Sequence, residues 1–150
     1  MASLASLQAA AVTLRIKIVP AEARTAQKIE AAFAAIQRDK SEAVIVIPDT
    51  LLNSHARQVA ALAAKFRLPS MTSASVYPEA GCLMSYGTNL YEHLRRTAYF
   101  VDRIFKGAKP ADLPIEQPTR FELFINGKTA QALGLKIPQS LSITAEKVIE

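Results

Sequence analysis

The run Ala43-Val44-Ile45-Val46-Ile47 is unbroken, apolar and almost wholly β-branched, and Pro48-Asp49-Thr50 closes it. A strand with one wet face alternates apolar and polar residues. A run without alternation is what a strand covered on both faces of a parallel sheet requires. Parallel neighbours cannot be joined by a hairpin, so the chain must cross over between them, usually through a helix. This segment therefore commits the chain to an α/β architecture.

The flanking segments have the matching periodicities. Val12-Thr13-Leu14-Arg15-Ile16-Lys17-Ile18-Val19 alternates apolar and basic residues, as a strand near a sheet edge should, and Pro20 stops it. Arg24 to Lys40 reads as an amphipathic helix with Ile29, Ala32, Phe33 and Ile36 on one stripe and Thr25 as its N-cap. After Thr50 a second helix runs to about Phe66, with Leu52, His55, Val59, Leu62 and Phe66 on its stripe, and Leu68-Pro69-Ser70-Met71 begins another strand. Strands and helices in alternation imply right-handed crossovers. The expected fold is α/β, a three-layer, largely parallel sheet with helices on both faces.

Further along, Glu79 to Gly87 reads as a loop leading into a short strand, and Asn89 caps a long helix to Lys106 that Gly107 terminates. Pro110, Pro114 and Pro118 make an extended connector. Phe121 to Ile125 is a strand, Asn126 caps a short helix ending at Gly134, and the remainder reads as irregular with a final helical turn.

Composition narrows the function classes. With 150 residues, 50% hydrophobic and 21% charged, the chain fits one ordinary globular domain. The net charge of +5 is scattered, and Arg95-Arg96 is the only adjacent basic pair. That pattern describes a solvated basic surface, not a nucleic-acid footprint. Cys82 is the single cysteine, so neither an intrachain disulfide nor a cysteine metal cluster can form. The stretch from Met1 to Ala11 has no Lys or Arg ahead of its apolar residues, and Gln8 interrupts it, so it reads as the tail of a helix and not as a signal peptide.

In an open α/β sheet, ligands sit outside the carboxyl ends of the strands. Geometry alone thus puts forward Pro48-Asp49-Thr50 and the segment from Ser73 to Glu79. A carboxylate there can hold an ammonium group through charge-assisted hydrogen bonds. It can equally cap the following helix, and the sequence leaves both roles open for Asp49. No catalytic constellation is present: His55 lies on an apolar stripe, His93 on a helix surface, and five glycines form no phosphate loop. No cofactor or metal is expected.

From Phe33 onward the sequence resembles a known family. The residues that carry the likeness are Ala43 to Asp49, Leu68-Pro69-Ser70 and Glu79-Ala80-Gly81-Cys82-Leu83-Met84-Ser85-Tyr86-Gly87. The long tail from Tyr99 through Phe105-Lys106-Gly107-Ala108-Lys109-Pro110 and Glu116-Gln117-Pro118 to Phe121-Glu122-Leu123 and Lys128 to Pro138 carries it further. The chain resembles the ABC-transporter substrate-binding proteins of the branch that includes tryptophan- and tyrosine-binding members.

The resemblance implies a type I periplasmic-binding-protein fold, with two lobes, a hinge and a ligand in the cleft. It implies a non-enzymatic solute-binding component, periplasmic, that takes a small amino acid or organic or aromatic acid and serves an ABC permease. Family members are about twice this long, so the expectation is a second-lobe-like unit, lacking that lobe's first, central strand. That unit spans about 1–78 and 119–150, with a hinge-crossing helical arm at about 82–110. The resemblance assigns Pro48, Asp49 and Thr50 to the loop that meets the ligand's polar end, and places Glu79 and Tyr86 near the cleft. It leaves Leu90, Leu94, Val101, Ile104 and Phe105 without a partner lobe, so a homodimer formed by exchanging the arm is expected. The alternative is a truncated, self-associating remnant that binds nothing.

Overall fold

The computed structural model describes residues 4–150. One five-stranded sheet organises it, in the order β1 (Val44–Val46), β2 (Ser70–Thr72), β3 (Met84–Thr88), β4 (Phe121–Asn126) and β5 (Lys147–Ile149). Strands β1, β2 and β3 run parallel, β4 runs against β3, and β5 runs parallel to β4. The architecture is the expected α/β one, with a mostly parallel sheet and helices packed upon it.

The register decides which side chains share a face. Val44 and Val46 align with Ser70 and Thr72, and Thr72 aligns with Ser85, so these residues look into one face. The helices α2 (Ala26–Arg38), α4 (Ala56–Lys65) and α5 (Val76–Ala80) close that face. Ile29, Phe33 and Ile36 recur at helical spacing along α2 and are buried against Val59, Leu62 and Tyr77. Each such side chain contributes roughly 1.5–3 kcal/mol when fully buried. The opposite face is more open, with Ile45, Tyr86, Phe121 and Val148 all exposed.

Three helix ends share an unusual device. Arg15, Lys40 and Arg67 adopt positive φ, at 55°, 53° and 53°. Each follows a helix whose last carbonyls it helps to satisfy. The residue after it, Ile16, Ser41 or Leu68, donates its N–H five residues back, to Ala11, Ile36 or Ala63. That is the Schellman pattern, normally built on glycine. Here basic side chains take the left-handed position, where their charge faces the negative end of the helix dipole.

The first strand expected from the sequence does not form. Helix α1 (Leu4–Leu14) takes Val12 to Leu14, and Arg15 closes it. Residues 16–23 are irregular and pair with no strand. A period-two pattern requires a neighbouring ladder to become a strand, and none reaches this segment, whereas the Ala- and Leu-rich residues before it favour helix. The reading of Met1 to Ala11 as a helix agrees from Leu4 onward, while Met1, Ala2 and Ser3 lie outside the described residues.

The run at 43–47 also differs from expectation. Strand β1 lies at the sheet edge, and Ile45 is 47% exposed, so the strand is covered on one face only. Composition shows which burial a strand tolerates; strand order decides which it receives. The helix expected from Thr50 to Phe66 is broken at His55 into α3 (Thr50–Ser54) and α4. The tail, expected to be irregular with a final helical turn, supplies the short helix α8 (Gln139–Thr144) and, beyond expectation, the edge strand β5.

Helix α6 (Leu90–Phe105) stands apart from this body, with no buried residue along 16. Arg96 pairs with Glu116 of the connector and lies over the rings of Tyr99 and Phe100, 4.1 and 4.9 Å from their centroids. The connector is thereby tied back along the helix. Among the described residues no helix is long and apolar enough to cross a membrane.

Candidate functional site

Parallel pairing brings the ends of β1, β2 and β3 to one edge of the domain, and the antiparallel β4 starts there. The residues along that edge are Pro48-Asp49-Thr50, Ser73-Ala74-Ser75, Gly87-Thr88-Asn89 and Arg120-Phe121-Glu122. It is a polar row laid across the carboxyl ends of three strands, where an open α/β sheet presents its ligand crevice.

Asp49 holds the N-cap of α3. Its Oδ1 accepts a hydrogen bond from the Leu52 N–H at 2.6 Å, and the residue is exposed. The capping role left open by the sequence is therefore real. It occupies one carboxylate oxygen and leaves the group at the surface, facing outward at the strand end. Thr50 is exposed beside it and Pro48 is half-buried.

Gly87 fixes how closely the row is drawn together. A Cβ there would fall 1.9 Å from the Ser73 carbonyl oxygen, so only glycine lets the two backbones approach. Behind this contact is a niche of about 10 Å3, bounded by Ser73, Ser75, Ser85, Thr88 and Glu122. Glu122 is 9% exposed, and its Oε1 accepts from Asn89 Nδ2 at 2.8 Å. Arg120 Nε lies 3.7 Å from the same oxygen but is drawn away by Glu146, at 2.9 Å. That pairing raises the Arg120 pKa, first through the hydrogen bond to Glu146.

The residues proposed from the sequence are not all brought together. Tyr86 sits at this edge on the other face of β3 from Ser85, where its ring stacks on Phe121 at 5.6 Å. Glu79 lies in α5, on the way back to the start of β3. The neighbouring Pro78 carbonyl accepts from Asn126 at the far end of β4, and Glu79 itself is 3.5 Å from Lys147. It is separated from the polar row by the length of the sheet. The sequence reading did not select Glu122 or Asn89 as site residues. A glutamate inside an otherwise apolar strand, Phe121-Glu122-Leu123-Phe124-Ile125, is the signal that points to the first.

The remaining reactive groups form no nucleophile–base pair among the described residues. His55 Nδ1 lies 2.9 Å from the Leu51 carbonyl oxygen and 3.1 Å from Ser54 Oγ, with no carboxylate partner among the described residues. His93 is exposed on α6. Cys82 is fully buried, and burial pushes its thiol pKa up, away from the thiolate a nucleophile needs. Among the described residues no group of His, Cys, Asp and Glu is arranged to hold a metal. An open hollow of about 410 Å3 past the end of α7 (Gly127–Leu133) is lined by Ala130, Leu135 and Ile137 and lies away from the polar row.

Comparison with known proteins places this geometry. Residues 2–149 match the family described as ABC transporter substrate binding protein. No curated protein matches the chain. A conserved domain protein from Vibrio cholerae is similar over 95% of this chain and 48% of its own, with 27% identity and a TM-score of 0.87. An ABC domain from Streptococcus pneumoniae, solved in complex with L-Trp, is similar over 97% and 50%, with 26% identity and a TM-score of 0.86. The ligand-free, open form of a substrate-binding protein with adhesive properties from Clostridium difficile shares the fold, with 20% identity and a TM-score of 0.70. The chain spans about half the length of these solved relatives.

Proposed function

The chain belongs to the ABC transporter substrate-binding protein family, and from that premise we propose that it is a partial solute-binding component of an ABC import system. It grips a small amino acid or an organic or aromatic acid at the polar row and hands it on unchanged. The family binds and does not catalyse. The observation that carries the reading is Asp49, exposed at the carboxyl end of β1 in a chain whose pneumococcal relative was solved with L-Trp.

Within this reading Pro48, Asp49 and Thr50 meet the polar end of the ligand, and Tyr86 offers an aromatic surface at the same edge. Glu79 plays a lesser part, given its place by Lys147. The unit made by about 1–78 and 119–150 is lobe-like, and about 82–110 forms an arm. The partner in transport is an ABC permease and the compartment is periplasmic.

The same arm favours self-association. Leu90, Leu94, Val101, Ile104 and Phe105 are all exposed on α6, Phe105 at 85%. Burying five such side chains is worth on the order of 10 kcal/mol before ordering costs. Exchange of the arm between two copies would cover them in a homodimer. The second reading, a self-associating chain without ligand, rests on this face alone.

A thermal-shift screen of amino acids and aromatic acids separates the two. Stabilisation by a ligand that is lost in Asp49→Asn, which keeps the cap and removes the charge, supports binding. Melting that depends on protein concentration and on no ligand supports the second. Light scattering that gives a monomer of 16.3 kDa at micromolar concentration would refute the dimer.

A further inference from the structure

Glu122 is a buried carboxylate with a hydrogen bond to only one of its two oxygens. Oε1 is held by Asn89 and neighboured by Arg120. Oε2 accepts no hydrogen bond from the described residues, and the side chain borders a small niche. The adjoining niche is bounded by Ser73, Ser75, Ser85 and Thr88, and its volume of about 10 Å3 is that of one water-sized group. A buried charge that is only partly paired is costly, and a cation with several donors relieves that cost best. Hydroxyls around it can accept the donors the carboxylate leaves over.

We propose that this niche is a subsite for a primary ammonium group, with Glu122 Oε2 as its counter-charge and the serine and threonine hydroxyls as further acceptors. An ammonium matches the niche in size, in sign and in number of donors. A guanidinium or a quaternary amine exceeds the space. The subsite rests on the small-ligand reading above only in that the ammonium belongs to that ligand, an amino acid and not a simple carboxylic acid. It lies on the packed face of β3 and β4, distinct from the Asp49 cap and from the Tyr86–Phe121 stack.

The test uses the whole chain, followed by amide NMR, with methylammonium and tetramethylammonium chloride as probes. Methylammonium is expected to move the Ser73, Ser75 and Gly87 signals saturably, and tetramethylammonium is not. Glu122→Gln keeps an acceptor for Asn89 and removes the charge; it should weaken methylammonium at least about tenfold, as for a lost charged hydrogen bond. Ser75→Leu, at an exposed position, should block the niche without touching the carboxylate, and serves if Glu122→Gln does not fold. Equal, unsaturable shifts from both cations, or undiminished binding in both variants, would overturn the proposal. L-Tryptophan and indole-3-propionate, which lacks the amine, separate this idea from the broader one. Equal binding of the two keeps the small-acid reading and sinks the subsite. A response to methylammonium with none to either acid keeps the subsite and sinks that reading.

Discussion

Asn89 serves two elements at once: its Oδ1 accepts from the Glu92 N–H at 3.1 Å, capping α6, while its Nδ2 donates to Glu122 at 2.8 Å. The chain leaves the sheet at Asn89 and re-enters it at Phe121, so this one amide braces both crossings. Asn89→Ala removes the cap and strips a buried carboxylate of its donor. The expected loss is about 2–3 kcal/mol in urea unfolding, more than the roughly 1 kcal/mol of a lost cap alone. A loss no greater than a cap's would show that the Glu122 bond is idle.

Gly87→Ala is predicted to be among the most damaging single substitutions. The added methyl would lie 1.9 Å from a backbone oxygen, which cannot swing aside like a flexible side chain. Destabilisation should exceed about 3 kcal/mol, or the protein should fail to fold. A thermal midpoint within a few degrees of the parent would mean that β3 and the Ser73 loop are not held this close.

Tyr77 is wholly buried, and its hydroxyl has no hydrogen-bond partner among the described residues. Burial, aided by the charge of Asp49 and by Cys82, pushes its pKa up to about 12. The unfolded chain releases this proton near 10, so between 10 and 12 the folded state binds more protons. Stability from this group is therefore complete below pH 10 and falls as pH rises towards 12, by on the order of 2 kcal/mol. Tyr77→Phe should abolish that share of the alkaline loss. At neutral pH it should be neutral or stabilising by about 1 kcal/mol, since it deletes an unpaired polar atom.

Arg67→Gly and Lys40→Gly are expected to stabilise by up to about 1 kcal/mol. Both residues hold left-handed helix ends where a Cβ is strained and glycine is not. The gain is reduced by the lost charge at the helix terminus. If both variants melt below the parent by several degrees, the side chains do more at these ends than the backbone argument allows.

Asp49→Ala and Asp49→Asn should differ. The alanine variant loses the 2.6 Å capping bond and about 1 kcal/mol, whereas asparagine retains a capping oxygen and stays near the parent in urea unfolding. Equal stability of the two would show that the cap contributes nothing.

By itself the sequence determined the features that rest on neighbours along the chain. Helix α2, the caps at Asn89 and Asn126, and the glycine ends at Gly107 and Gly134 all appear where local chemistry places them. Capping and helical periodicity act within a few residues, so they are legible before any fold is known. The strand end at Pro48-Asp49 was legible for the same reason, and with it the edge where a ligand would sit. Tertiary structure decided the rest. Only the sheet order makes β1 an edge strand, leaves 16–19 without a ladder, and recruits Lys147–Ile149 as β5. Only the antiparallel return of β4 sets Glu122 beside Asn89, 33 residues earlier, while the path of α5 carries Glu79 to the opposite end. Pairing between distant strands depends on which edges are free to meet, and no local pattern encodes that.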